Sequence, residues 1–173
     1  MTRVPLLAAC AILTAACSAA PATAPALTLT HPVGPDVSAS IVKVTDGDTF
    51  HVSTPTGQEA VRVLGFNSPE VVDPRKPVEC GGPEASAWAK QLLTNQHVTL
   101  VSDPTQADRD RYQRLLRYVR LDDGRDYSIE AARAGMGRDY VYGRKPVQEQ
   151  AQIVAAETEA RAAKRGLWAH CVD

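Results

Sequence analysis

Three short alternating runs separated by tight turns dominate residues 38–66. Ser38–Val44 (SASIVKV) alternates, is rich in β-branched residues and reads as a strand. Asp46-Gly47-Asp48 is a turn signal, Thr49–Ser53 a second strand, Pro55–Gly57 another turn and Glu59–Phe66 (EAVRVLGF) a third strand. Val72–Gly82 carries Pro74, Pro77, Gly81 and Gly82 and reads as a loop. Pro83–Thr94 places a proline in a first helical turn and Glu84 near the positive end of the dipole. Ala85, Trp88, Ala89 and Leu92 then form an apolar face at helical spacing. His97–Val101 and Leu115–Leu121 read as two more strands, the latter followed by an Asp122-Asp123-Gly124 turn. Ser128 is expected to cap a short helix that runs through Ala134 and ends at Gly135. Pro146–Lys164 reads as a longer helix ended by Gly166, with Leu167 and Trp168 packing behind it.

The order is three strands, a helix, two strands and two helices. The class is α+β. Five short strands with a helix between the third and fourth have the pattern of a five-stranded OB-type Greek-key barrel with three α-helices. Other small α+β folds fit the same string. At 173 residues, 44% apolar and 23% charged, the chain supports one packed domain. Its formal charge of −1 excludes a generally basic nucleic-acid coat and a strongly acidic tail.

Residues 1–16 read as a secretory signal, with Arg3 followed by an uncharged run from Val4 to Ala16. Leu13-Thr14-Ala15-Ala16-Cys17 resembles a lipoprotein processing site, in which Cys17 is lipidated and anchors the chain to a membrane. An ordinary cleaved signal is the alternative, so the protein is expected outside the cell membrane, anchored or secreted. Residues 17–36 are rich in Ala, Pro and Thr and read as a linker, with His31 a solvated residue. The domain is assigned to 37–173. With Cys10 in the signal and Cys17 at its end, Cys80 and Cys171 remain, either as a disulfide or as two separate thiols. No apolar stretch reaches the roughly 18–20 residues that a spanning helix needs.

Carboxylates and arginines gather at the strand ends. Asp46 and Asp48 share a turn, Arg62 lies in the third strand, and Asn67-Ser68-Pro69-Glu70 follows it directly. Arg109-Asp110-Arg111-Tyr112-Gln113-Arg114 precedes the fifth strand. Carboxylates with an amide oxygen suit a hard cation such as Ca²⁺ or Mg²⁺. Two arginines can hold a phosphate, and a further carboxylate can deprotonate water. Phosphodiester hydrolysis asks for this combination. Residues 109–145 also hold ten Lys and Arg against six Asp and Glu, a net of +4. They form either a solvated mixed surface or a funnel for nucleic acid.

Asp46-Gly47-Asp48-Thr49, Arg62-x-x-Gly65-x-Asn67-Ser68-Pro69-Glu70, Gly82-Pro83-Glu84-Ala85, Asp110-Arg111-Tyr112-x-Arg114 and Gly166-Leu167-Trp168 occur in order. Together they resemble the thermonuclease, or staphylococcal nuclease, family over roughly residues 38–171. The resemblance implies an OB barrel with three helices and Ca²⁺-dependent cleavage of DNA and RNA by a monomer. It implies Asp48 and Asn67 as Ca²⁺ ligands with the backbone carbonyl of Ser68, and Asp46 in support. Glu70 is implied as general base, Arg62 and Arg114 as the arginines on the scissile phosphate, and Arg111 and Tyr112 on a neighbouring phosphate. Tyr140 and Tyr142 are implied to line the nucleotide site. The family commonly has Asp at the position of Asn67 and Gly at that of Gln113. These departures keep a rival reading open, a catalytically decayed OB-fold lipoprotein that binds nucleic acid or a protein partner at the cell envelope.

Overall fold

The computed structural model describes residues 35–75 and 77–171. The signal segment, Cys10, Cys17, His31 and nearly all of the 17–36 linker lie outside the described residues. The first three strands are β1 (Val37–Val44), β2 (Thr49–Thr54) and β3 (Gly57–Val63), each antiparallel to the next. β4 is the two-residue Phe66–Asn67, followed by helix α1 (Gly82–Leu93). Then come β5 (His97–Val101) and β6 (Leu115–Leu121). β3 runs parallel to β6, β6 pairs antiparallel with β5, and β5 returns to β1. The result is a closed barrel in the order β1-β2-β3-β6-β5. Closure leaves the barrel itself without a free edge among the described residues. Inward-facing Phe50, Val52, Val61, Val98, Leu100 and Val119 fill it and are essentially inaccessible to solvent.

Helix α2 (Tyr127–Ala134) closes one end. Its Tyr127 ring meets Phe50 edge-on at 4.9 Å, Phe66 at 6.5 Å, and Trp88 of α1 at 5.7 Å. The Tyr127 hydroxyl donates to the Gly47 carbonyl at 2.7 Å, which fastens the 46–48 turn to the core. Asp126, not Ser128, caps α2 by accepting from Ile129 N–H. Ser128 is fully buried instead and donates to the Leu64 carbonyl at 2.8 Å.

The expected third strand is broken. β3 stops at Val63, and Gly65 takes a left-handed φ of 72° before β4 begins. A Cβ at Gly65 would lie 2.4 Å from Ile153 Cδ1, so the bend brings the chain against the third helix closely enough that only glycine fits. β4 pairs with β7 (Arg138–Asp139), a ladder too short to carry a sequence signal. Helix α3 (Gln150–Ala162) starts later than Pro146. The N–H groups of Gln148 and Glu149 donate to Asp103 Oδ2 and the Tyr118 hydroxyl, so they bond the barrel instead of a helical turn. After Gly166 a single turn, α4 (Leu167–His170), buries Leu167. Cys171 is bridged to Cys80, resolving the two alternatives for this pair. The Trp168 ring is in contact with the guanidinium groups of Arg138 at 4.5 Å and Arg161 at 3.7 Å, a packing position rather than a platform for bases. Among the described residues no helix is long and apolar enough to cross a membrane.

Candidate active site

The site lies where the β1–β2 turn, the β3–β4 bend and the segment before β6 meet. It is a cavity of about 710 Å³. Asp46, Asp48, Arg62, Asn67, Ser68, Glu70, Arg111, Tyr112, Arg114, Tyr140 and Tyr142 all line it. Every candidate catalytic, metal and substrate residue read from the sequence is therefore on one surface.

Asp48 is a buried member of the cavity lining. Its Oδ2 accepts from the Ser68 N–H at 2.8 Å and pairs with Arg62 Nη1 at 2.8 Å. Its Oδ1 accepts from the Thr49 hydroxyl at 3.0 Å. Arg62 also donates to the Phe66 carbonyl at 3.1 Å and, through Nη2, to Asn67 Oδ1 at 2.8 Å. One guanidinium thus bridges the barrel turn to the strand that carries Asn67. The Asn67 amide donates in turn to the Ser68 carbonyl at 3.1 Å.

Asp46 accepts from the Asp48 N–H at 3.1 Å. Burial, with the negative charge of Asp48 added to it, pushes the Asp46 carboxyl up to about 6. Two buried carboxylates with one guanidinium leave negative charge under-compensated. Added to the Asn67 amide oxygen and the Ser68 carbonyl, they form an all-oxygen donor set that fits a hard divalent cation. For both of these oxygens to face a cation, the Asn67 amide must exchange its present bonds to Arg62 and Ser68. Among the described residues no three His, Cys, Asp or Glu side chains cluster as a metal site, because half of this set is amide and main-chain oxygen.

Arg114 is oriented from the other wall. Its Nε and Nη2 both meet Asp110 Oδ2 at 2.7 Å, and Nη1 donates to the Thr49 hydroxyl at 3.1 Å. Asp110 Oδ1 accepts the N–H groups of Tyr112 and Arg114, so one carboxylate shapes the turn and aims the arginine. Burial opposes ionisation of Asp110, but the bonds from Arg114 outweigh it and hold the carboxyl below its usual range. Gln113 sits within that turn at φ 65°, the left-handed region where glycine is favoured. The departure at 113 therefore leaves the turn formed, at the cost of some backbone strain. Arg111 stacks 4.7 Å over the Tyr112 ring and donates to its hydroxyl at 2.6 Å. Tyr112 and Tyr142 are 62% and 70% exposed, open to a flexible ligand, whereas Arg62 lies 5.9 Å from the Tyr140 ring.

Sequence reasoning gave Thr49 and Asp110 no separate role, although both stand inside the motifs. Thr49 joins the Asp48 and Arg114 walls through one hydroxyl. The charge of segment 109–145 is largely spent. Arg109 pairs with Glu59, Arg117 with Asp108, Arg120 with Asp126 and Glu149, Arg125 with Asp123 and Glu130, and Arg133 with Glu130 and Glu159. What remains beside the cavity is local, chiefly Arg111 and Lys145.

Residues 60–170 match the family described as Staphylococcal nuclease homologue. The chain belongs to this family. It is 36% identical to the thermonuclease of Staphylococcus hyicus over 131 residues, 75% of each chain. It is 34% identical to the thermonuclease of Staphylococcus intermedius over 127 residues, covering 73% of this chain and 72% of that one. It is also 31% identical to an SPbeta prophage-derived endonuclease of Bacillus subtilis, over 76% of this chain and 44% of that protein. The family match spans four of the five ordered motifs, from Arg62 to Trp168, and membership in the staphylococcal nuclease family agrees with the closed five-stranded barrel.

Proposed function

We infer that this chain is a nuclease, a hydrolase of phosphodiester bonds in nucleic acid, and we propose that it is Ca²⁺-dependent, cleaves DNA and RNA with little sequence preference, and acts outside the cell membrane as a monomer. The observation that carries the reading is the convergence of Asp48, Arg62, Asn67, Ser68, Glu70 and Arg114 on one cavity. The family and the names of its thermonuclease relatives support the activity. The export signal, and anchoring through Cys17, rest on the N-terminal sequence alone.

In this reading Asp48, Asn67 and the Ser68 carbonyl hold the cation, with Asp46 behind them. When bound, the cation supplies positive charge that polarises the phosphoryl oxygen. Arg62 and Arg114 exchange part of their present bonding to Asp48 and Asp110 for the scissile phosphate. Their guanidinium groups then stabilise the charge that builds on the five-coordinate phosphorus. Glu70 takes a proton from water as the new P–O bond forms. The P–O5′ bond breaks, the 5′ oxygen leaves with its electron pair and takes a proton from solvent water to become a hydroxyl, and the other fragment keeps a 3′-phosphate. Arg111 and Tyr112 hold an adjacent phosphate. Tyr140 and Tyr142 pack on sugar or base without reading sequence. Asn67 contributes one negative charge fewer than the usual aspartate, so weak metal affinity is expected.

The test is cleavage of single-stranded DNA in Ca²⁺, in Mg²⁺ and in chelator. Turnover is expected in Ca²⁺ alone. E70Q, R62A and R114A should each lose on the order of 10²–10³-fold while staying folded. Full activity in all three would refute the roles. Salt-sensitive binding without cleavage would favour the decayed, binding-only reading that Asn67 motivates.

A further inference from the structure

Between Glu70 and the start of α1 the chain leaves the site and returns to it. The return is made by Glu79. Glu79 Oε2 accepts the Glu70 N–H at 3.0 Å, and the Glu79 N–H donates to the Glu70 carbonyl at 3.0 Å. Both polar groups of the Glu70 peptide frame are thus taken by one residue. Gly82 then packs on the same backbone: a Cβ there would lie 3.2 Å from the Glu70 carbonyl oxygen and 2.4 Å from Val71 Cγ1. The Glu79 carbonyl accepts from the Gly82 N–H at 3.0 Å, which closes the neck of a compact surface loop.

Inside the loop, Glu70 Oε1 accepts the N–H groups of Val71, Val72 and Asp73 at 2.9, 2.7 and 3.1 Å. Among the described residues Oε2 takes no hydrogen bond. The side chain is therefore oriented by the loop it begins, and its main chain by the residue that ends the loop. Cys80, next after Glu79, is tied covalently to Cys171, so the neck is anchored to the far end of the chain.

We propose that Glu79 is a positioning residue for Glu70, fixing the main chain from which the carboxylate is aimed at the attacking water. The proposal rests on the reading of Glu70 as the general base. An acceptor on the Glu70 N–H restrains the backbone where the loop begins, and with it the direction in which the carboxylate leaves the main chain. A displacement of about 1 Å in such a group costs up to about 10²-fold in rate. The required element is the accepting oxygen, which glutamine also offers and alanine does not.

The experiment compares E79A, E79Q and E70Q in the full chain. E79A is expected to lower kcat by about 10- to 100-fold with KM unchanged, because phosphate binding rests on Arg62, Arg114 and Arg111. E79Q should restore kcat. Glu79 is exposed, so neither change should move the urea midpoint appreciably. A second readout needs no turnover: the Glu70 amide should exchange with solvent faster in E79A than in wild type or E79Q. Wild-type kcat and unchanged Glu70 amide protection in E79A would overturn the proposal, as would equal impairment in E79A and E79Q. E70Q separates the two claims. An inactive E70Q beside a fully active E79A refutes the role of Glu79 alone, and a fully active E70Q refutes Glu70 as base.

Discussion

Removing the Cys80–Cys171 bridge should be the largest single loss of stability available without touching the barrel. The two half-cystines are 91 residues apart in sequence. In the chain-entropy model a loop of that length restricts the unfolded ensemble by about 15.5 cal/mol/K, or about 4.6 kcal/mol at 25 °C. At about 2.1 cal/mol/K of unfolding entropy per residue for the ordered part of the chain, this corresponds to a fall in Tm of roughly 15 °C. The native state adds a local term. The bridge holds α4 over the start of α1, where Leu167 Cδ2 lies so close to Gly81 that a Cβ there would sit 1.9 Å from it. Without the tie the last turn has one buried apolar side chain, Leu167, to keep it docked. The assay is urea and thermal unfolding of wild type, wild type in reductant, and C80S/C171S. The last two should coincide and unfold well below the first. A difference under about 1 kcal/mol would refute the reasoning, since it would mean that the unfolded chain is not measurably restricted by the cross-link.

Three further outcomes are expected. Burial, only partly offset by Arg120, raises the Asp126 carboxyl to about 6, so its protonated form is favoured in the fold. Its contribution is fully present below about pH 4 and lost as pH rises through 6. D126N keeps a capping oxygen for Ile129 and should gain stability on wild type by up to about 3 kcal/mol between pH 4 and 7; a difference that does not change with pH, measured by urea unfolding, would refute it. Q113G relieves a left-handed residue at about 1–2 kcal/mol while adding glycine's entropy, about 0.5–1 kcal/mol, so denaturation should show a net gain of roughly 0.5–1 kcal/mol. G135A combines φ 73° with a Cβ 2.2 Å from the Arg165 carbonyl oxygen, and should destabilise by more than about 2 kcal/mol in the same assay.

Much of the barrel was legible in the sequence because its strands are half-buried, and period-2 alternation in 38–42, 49–53 and 59–63 reports that directly, while the register shift between Ile41 and Lys43 breaks it in the rest of β1. Asp-Gly turns and glycine stops are equally local, so α1, α2 and the end of α3 fall close to where Pro83, Gly135 and Gly166 put them. The residues that line the cavity were legible as candidates through their order along the chain, as motifs. What the sequence leaves open depends on partners distant in the chain. Ser128 and Asp126 are both good caps, and the choice was made by the Leu64 carbonyl, 64 residues away, which needed a donor. The excess of basic residues in 109–145 reads as a surface charge until Glu59, Glu149 and Glu159 arrive from other elements to pair with it. The grip of Glu79 on Glu70 reaches across nine positions, and on the Glu70 side it is made by main-chain N–H and C=O groups that every residue carries, so nothing in the composition marks Glu79 as the partner. Local patterning and motif order determined the elements and the candidate chemistry. The closed barrel decided the long-range pairs, Arg62 with Asp48 and Arg109 with Glu59, because ion pairing and burial between distant segments are set by distances in space that the linear order does not contain.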